Sequence, residues 1–156
     1  MEPLKTFFSD HLVKRLAADL TRAHPSFPAR VFLRDACHGL EQLELLDRAR
    51  HIARALAAHL PPAYPEAIRI LLASLGPRHR ADELTGGGMA SFFYMPHTLF
   101  VAEHGLDHFD LSMQAQYELT KRFTAEFSIR PYIDRDPERV MHFLARWAND
   151  PDAHVR

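Results

Sequence analysis

The sequence predicts an all-α protein built of stacked antiparallel helix pairs. Apolar residues recur every three or four positions in segment after segment, and no stretch alternates with the period of two expected of a half-buried strand. Helix also follows helix every roughly 15 to 20 residues, with short breaks of Pro, Gly or Asp between them.

Ser9 suits the cap of a first helix in which Leu12, Val13, Leu16, Ala17 and Leu20 face inward while Lys14, Arg15 and Arg22 face water; Pro25 ends it. A second helix carries Leu33, Ala36, Cys37 and Leu40. A third, about Leu43 to Leu60, places Leu46, Ala49, Ile52, Ala53, Leu56 and Leu60 on one side and Arg48, Arg50 and Arg54 off it; Pro61 and Pro62 stop it. The fourth starts near Pro65 and shows Ile68, Leu71, Leu72 and Leu75 before Gly76 and Pro77.

The character changes over about 77–91, where Gly86, Gly87 and Gly88 stand in a polar stretch. No strand precedes these glycines and no Gly-Lys-Ser/Thr follows, so the phosphate-cradling geometry is missing and a flexible surface loop is expected. Phe92, Phe93 and Tyr94 follow as an aromatic cluster, read as core rather than as a stacking platform. Pro96 would break a helix interior, so the next helix should start near it and end at Gly105. Asp107 or Asp110 should then open a long helix running to about Arg130, closed by Pro131.

The last segment has a clear signature. Asp136 is a good N-cap and Pro137 suits the first helical position; Val140, Phe143, Leu144 and Trp147 form one stripe that needs a partner surface. Asp150-Pro151-Asp152 repeats the cap chemistry and launches a further helix whose first inward residue is Val155. The segment looks like the middle of a HEAT-type helical repeat. The expectation is a single HEAT-like α-solenoid domain over 1–156, truncated at its C-terminus and forming the N-terminal part of a longer protein, with a cut face open to self-association.

Composition narrows the function. At 156 residues, with 47% hydrophobic and 25% charged side chains, the chain has an ordinary globular make-up. With 19 basic against 20 acidic residues there is no global positive field, so nucleic-acid binding would need a local patch. One cysteine forbids an intrachain disulfide, and no signal peptide or run of 18 apolar residues occurs; a cytoplasmic protein with no membrane partner is the plain reading. Cys37 sits on an apolar stripe and reads as a buried, inert thiol. His104 and His108 are four apart, but Gly105 and Asp107 interrupt them and no further ligands stand at a familiar distance, so no metal and no cofactor are expected.

On the expected long helix, Phe109, Met113, Gln116, Leu119, Thr120, Phe123 and Phe127 share one broad face. Glu126 falls in line with Ala115 and Leu119, on the shoulder of that face, where a carboxylate would be partly desolvated. The alternative is an ion-pair ladder with Arg122 and Arg130 along a solvated helix edge.

Two stretches then carry a resemblance: His97-Thr98-Leu99-Phe100-Val101-Ala102-Glu103-His104-Gly105-Leu106-Asp107-His108-Phe109, and Tyr117-Glu118-Leu119-Thr120-Lys121-Arg122-Phe123-Thr124-Ala125-Glu126-Phe127-Ser128-Ile129-Arg130-Pro131. The chain resembles the AlkC-like DNA alkylation repair family, within the AlkC/AlkD superfamily of HEAT-like repeat DNA glycosylases. The resemblance implies base-excision repair in the bacterial cytosol and nucleoid: hydrolysis of the N-glycosidic bond of cationic alkylated bases such as 3-methyladenine, in double-stranded DNA. A carboxylate suits that chemistry, because the enzyme must stabilise a developing oxocarbenium sugar and position water. Matched to the family, Glu126 is the catalytic candidate, and Lys121, Arg122, Arg130, Arg139 and Arg156 are the candidates for phosphate contacts. The family's main catalytic aspartate falls outside these 156 residues, so the resemblance implies that this stretch alone is inactive. A non-enzymatic helical-repeat scaffold that binds DNA or protein is the competing class.

Overall fold

The computed structural model describes residues 4–78 and 89–156, so the expected loop over about 77–91 lies mostly outside the described residues. Among the described residues there are eight α-helices and no strand, in line with the all-α expectation. They are α1 (Asp10–Ala23), α2 (Ala29–Cys37), α3 (Leu45–His59), α4 (Tyr64–Ala73), α5 (Met95–His104), α6 (Phe109–Thr120), α7 (Arg130–Arg135) and α8 (Pro137–Trp147). Short 3-10 turns join several of them. The residues group into two compact units, Met1–Leu75 and Gly76–Arg156.

In the first unit α1 packs on α2 and α4, and α2 on α3. The amphipathic stripe of α1 is buried as its spacing requires: Leu12, Val13, Leu16, Ala17 and Leu20 all lie inside. Ser9 occupies the cap position, but its side chain makes no capping hydrogen bond. On α2 the inward residues are Phe32 and Ala36, and Cys37 is only partly covered. Gly39 follows with a φ of 70°, a left-handed turn that a side chain would strain. On α3 the stripe of Ala49, Ile52, Ala53 and Leu56 is buried, but Leu46 is 38% exposed.

Arg48 corrects the sequence expectation: it is only 6% exposed. Its guanidinium donates to the carbonyls of Leu43 (2.8 Å), Lys5 (3.1 Å), Phe8 (3.0 Å) and Glu41 (2.7 Å). Helical periodicity places Arg48 off the apolar stripe. It is buried because the segments around Lys5–Phe8 and Glu41–Leu43 leave carbonyls that need donors, and the fixed fork of arginine satisfies four at once.

In the second unit α5 packs on α6 and α7, and α7 on α8. Tyr132 is fully buried, donates its hydroxyl to the Val101 carbonyl at 2.7 Å and meets the edge of Phe109 at 5.4 Å. Phe93 and Tyr94 are buried, and Phe92 packs on Phe123 at 5.4 Å, so the aromatic cluster is core. α5 starts and ends where Pro96 and Gly105 indicate.

The expected helix to Arg130 is shorter: α6 ends at Thr120, and residues 121–129 form turns. Thr120 bonds back to the Gln116 carbonyl at 2.7 Å, and the Thr124 hydroxyl accepts the Glu126 N–H at 3.1 Å. Both are local side-chain bonds that compete with helix continuation. The buried Ser128 hydroxyl then bonds the buried Gln116 amide oxygen at 3.0 Å, folding 121–129 back onto α6. Pro131 opens α7 instead of closing α6, from the early helical position that proline favours.

The cap at α8 is as expected: the Asp136 carboxylate accepts the Arg139 N–H at 3.0 Å. Val140 is buried, while Phe143, Leu144 and Trp147 are half-buried. Beyond α8, Asp150 accepts the Asp152 N–H at 2.8 Å, Asp152 accepts the His154 N–H at 2.9 Å, and Val155 turns inward to 9% exposure.

Candidate nucleic-acid interface

The nominated residues lie in the second unit, and folding treats them differently. With α6 ending at Thr120, Glu126 does not sit on the shoulder of an apolar helix face. It stands on a turn with a side chain 64% exposed, paired to Arg130 at 3.0 Å. The partial desolvation expected for it is therefore absent within this chain, and the i,i+4 pair is of the exposed kind, worth about 0–1 kcal/mol. Arg130 also lies 5.1 Å from the ring of the exposed Phe127. The turn thus presents an acid, a base and an aromatic ring together to solvent.

Lys121 and Arg122, expected to face phosphates, are instead only 2% and 9% exposed. The Lys121 ammonium pairs with Glu118 at 2.7 Å and lies 3.9 Å from the centre of the Tyr117 ring. Arg122 donates to the carbonyls of Gly76 (2.8 Å) and Glu118 (2.8 Å). Their charges are consumed inside the unit. The end of α6 turns them inward, which helical spacing could not reveal.

Arg139 and Arg156 are exposed. Arg139 pairs with Asp110 at 2.8 Å and stacks over Phe109 at 4.5 Å. Arg135, which the sequence did not single out, faces Asp107 at 3.6 Å, and with Phe109 and Arg139 these two rim a surface cavity of about 280 Å3. Arg156 reaches the Asp150 carbonyl at 3.3 Å. Sequence reasoning missed that Arg135 and Arg139 line one cavity: they are four apart in sequence, but the break between α7 and α8 separates them, so helix spacing does not report it.

Among the described residues no group of three or more His, Cys, Asp or Glu side chains is arranged to hold a metal ion. His104 stacks on Phe100 at 5.2 Å. His97 is buried between Phe93 and Tyr94, and its Nδ1 has no hydrogen-bond partner among the described residues. Burial, with the Arg122 charge beside it, pushes its pKa down to about 3, so the imidazole is neutral at ordinary pH.

A second cavity, of about 320 Å3, lies between α6 and α8. Its walls are Met113, Gln114, Tyr117, Phe143, Arg146, Trp147 and Asp150. Tyr117 and Trp147 meet at 5.9 Å, and Phe143 and Trp147 at 6.4 Å. The apolar stripe of α8 was legible in the sequence, but its pairing with Tyr117 across 30 residues was not.

No protein-family model matches the chain. The protein YhaZ of Bacillus subtilis, which is described as uncharacterized, is 29% identical to it over 157 residues, which take in 100% of this chain and 41% of YhaZ. Among solved structures, the alkylpurine DNA glycosylase AlkC of Pseudomonas fluorescens, bound to DNA containing an abasic site analog, superposes with a TM-score of 0.84 at 28% identity. That match covers 99% of this chain and 40% of AlkC. The chain therefore spans about two fifths of the length of both relatives. The structural match covers nearly the whole chain, as the resemblance in sequence does, and the all-α architecture is that of the AlkC helical-repeat fold.

Proposed function

We propose that this AlkC-like chain works in DNA base-excision repair, as the helical part of a glycosylase that removes cationic alkylated bases such as 3-methyladenine. The observation that carries the reading is the match of 99% of the chain, at a TM-score of 0.84, to a glycosylase bound to DNA with an abasic site analog. Double-stranded DNA with an alkylated base is the partner, and the bacterial cytosol, with the nucleoid, is the place of action. No helix among the described residues is long and apolar enough to cross a membrane.

In this reading Glu126 faces the damaged nucleotide, and Arg130, Arg139 and Arg156 meet phosphates. DNA would cover the exposed turn and strip water from Glu126, and a carboxylate near the developing sugar cation is worth more there than in bulk water. Arg130 would exchange its carboxylate partner for a phosphate, and an exposed pair costs little to break. In this reading the aspartate that the family resemblance implies has no counterpart among these residues, and the chain alone binds DNA and leaves the glycosidic bond intact.

Anisotropy with a fluorescent duplex carrying an abasic analogue tests binding, and release of free 3-methyladenine from methylated DNA tests chemistry. The reading expects binding that weakens with salt and no base release above a no-protein control. Absence of binding at low salt would remove the reading.

The half-buried Phe143, Leu144 and Trp147, with Met141 61% exposed, favour a second reading: a non-enzymatic scaffold that uses this face for a protein partner or a second copy. Light scattering that shows a concentration-dependent dimer, without DNA binding, would support it.

A further inference from the structure

We propose that Arg146 is a further phosphate-binding residue of this chain, held in place by Phe143 and engaging a different phosphate from Arg139. The proposal rests on the DNA-repair reading above and deepens it. The resemblance did not single out Arg146; its place on α8 does. Arg139 and Arg146 stand two helical turns apart, so they differ by only about 20° in direction and by about 10.5 Å along the helix axis. They share one shoulder of α8, too far apart to centre on one phosphate.

Three exposed arginines of the second unit each lie over a phenylalanine ring: Arg130 over Phe127 at 5.1 Å, Arg139 over Phe109 at 4.5 Å and Arg146 over Phe143 at 4.8 Å. A ring against the guanidinium plane restricts its motion and leaves the N–H edges open to an anion. Two of the three must first leave an acid, since Arg130 pairs with Glu126 at 3.0 Å and Arg139 with Asp110 at 2.8 Å. Arg146 has none to leave. Among the described residues its guanidinium makes no ion pair and no hydrogen bond. Asp150 lines the same cavity as Arg146, but its carboxylate is engaged elsewhere, accepting the Asp152 N–H and the Tyr117 hydroxyl, each at 2.8 Å. An oriented guanidinium with all its donors unspent suits a phosphodiester, whose oxygens accept two parallel N–H bonds.

The 156-residue chain is titrated by anisotropy, over a range of salt, against a duplex carrying an abasic analogue and an intact duplex of unrelated sequence. Arg146→Gln should reduce the slope of log affinity against log salt by about 0.9 on both duplexes, whereas Arg146→Lys should keep the slope. Adding Arg139→Gln should double the loss, because each arginine neutralises its own phosphate. Phe143→Leu tests the positioning. It should weaken binding at least about twofold with the slope unchanged, and should do nothing further in the Arg146→Gln background.

Thermal midpoints separate folding from binding: Arg146→Gln, on an exposed side chain, should leave the midpoint unchanged, so it decides the proposal even where Phe143→Leu loosens the unit. Binding whose salt slope Arg146→Gln does not alter would overturn the proposal and leave the DNA-repair reading standing. A double variant that loses no more than either single one would overturn the separate phosphates. No binding by the wild type at low salt would end both the proposal and the reading it rests on.

Discussion

The Tyr117 hydroxyl donates to Asp150 Oδ2 at 2.8 Å and so ties α6 to the turn that follows α8. The bond spans 33 residues. The same aspartate caps the next turn through the Asp152 N–H. Tyr117→Phe should therefore lower the thermal midpoint modestly and loosen residues 150–156 specifically, seen as faster amide exchange there than elsewhere. Uniform loosening across the second unit would argue against a local tie. Asp150 has a depressed pKa, so its contribution is present above the ordinary carboxylate range and fades as pH falls through its folded value.

Arg48 should behave as a structural residue. Arg48→Met removes the donors for the carbonyls of Lys5, Phe8, Glu41 and Leu43. A loss of about 1–3 kcal/mol in unfolding free energy is expected, since acceptors are left without partners. Arg48→Lys should recover only part of it, because a single ammonium lacks the fork geometry. Urea unfolding followed by circular dichroism checks both.

His97 makes stability depend on pH in a defined direction. Its folded pKa is about 3, below the ordinary 6.5, so between these values the unfolded chain takes up a proton that the folded chain refuses. Stability should then fall as pH drops through that window, by up to about 1.4 kcal/mol per pH unit from this group. His97→Gln should flatten the slope between pH 6.5 and the onset of carboxylate titration, near about pH 4. An unchanged slope would mean that the histidine is hydrated in solution.

Cys37 should be unreactive in the folded chain. Desolvation first, then the neighbouring Asp10, raise its pKa to about 11, so little thiolate exists at neutral pH. Iodoacetamide should label it slowly until urea unfolds the protein, and mass spectrometry reads the difference. Fast labelling of the folded chain would contradict the raised pKa of its thiol.

Glu126→Gln should leave thermal stability unchanged, because the ion pair to Arg130 is solvent-exposed. Arg139→Gln should reduce the slope of log affinity against log salt by about one phosphate contact on any duplex that binds. Equal slopes for the wild type and the variant would take Arg139 out of the interface.

The sequence by itself determined the all-α class, the helix start near Pro96 and the capped start at Pro137, the inward stripes of α1 and α3, and a resemblance that the structural match bears out. These follow from periodicity and cap chemistry, which act within a few residues and so can be read locally. Tertiary structure alone decided where α6 ends, and with it whether Lys121 and Arg122 turn inward and whether Glu126 meets water. It also decided that Arg48 is buried and that Tyr117 meets Asp150. For Arg48, Arg122 and Tyr117 a backbone carbonyl or side chain distant in sequence supplies the partner. Helical spacing says which residues share a face, but not which unsatisfied group waits opposite them.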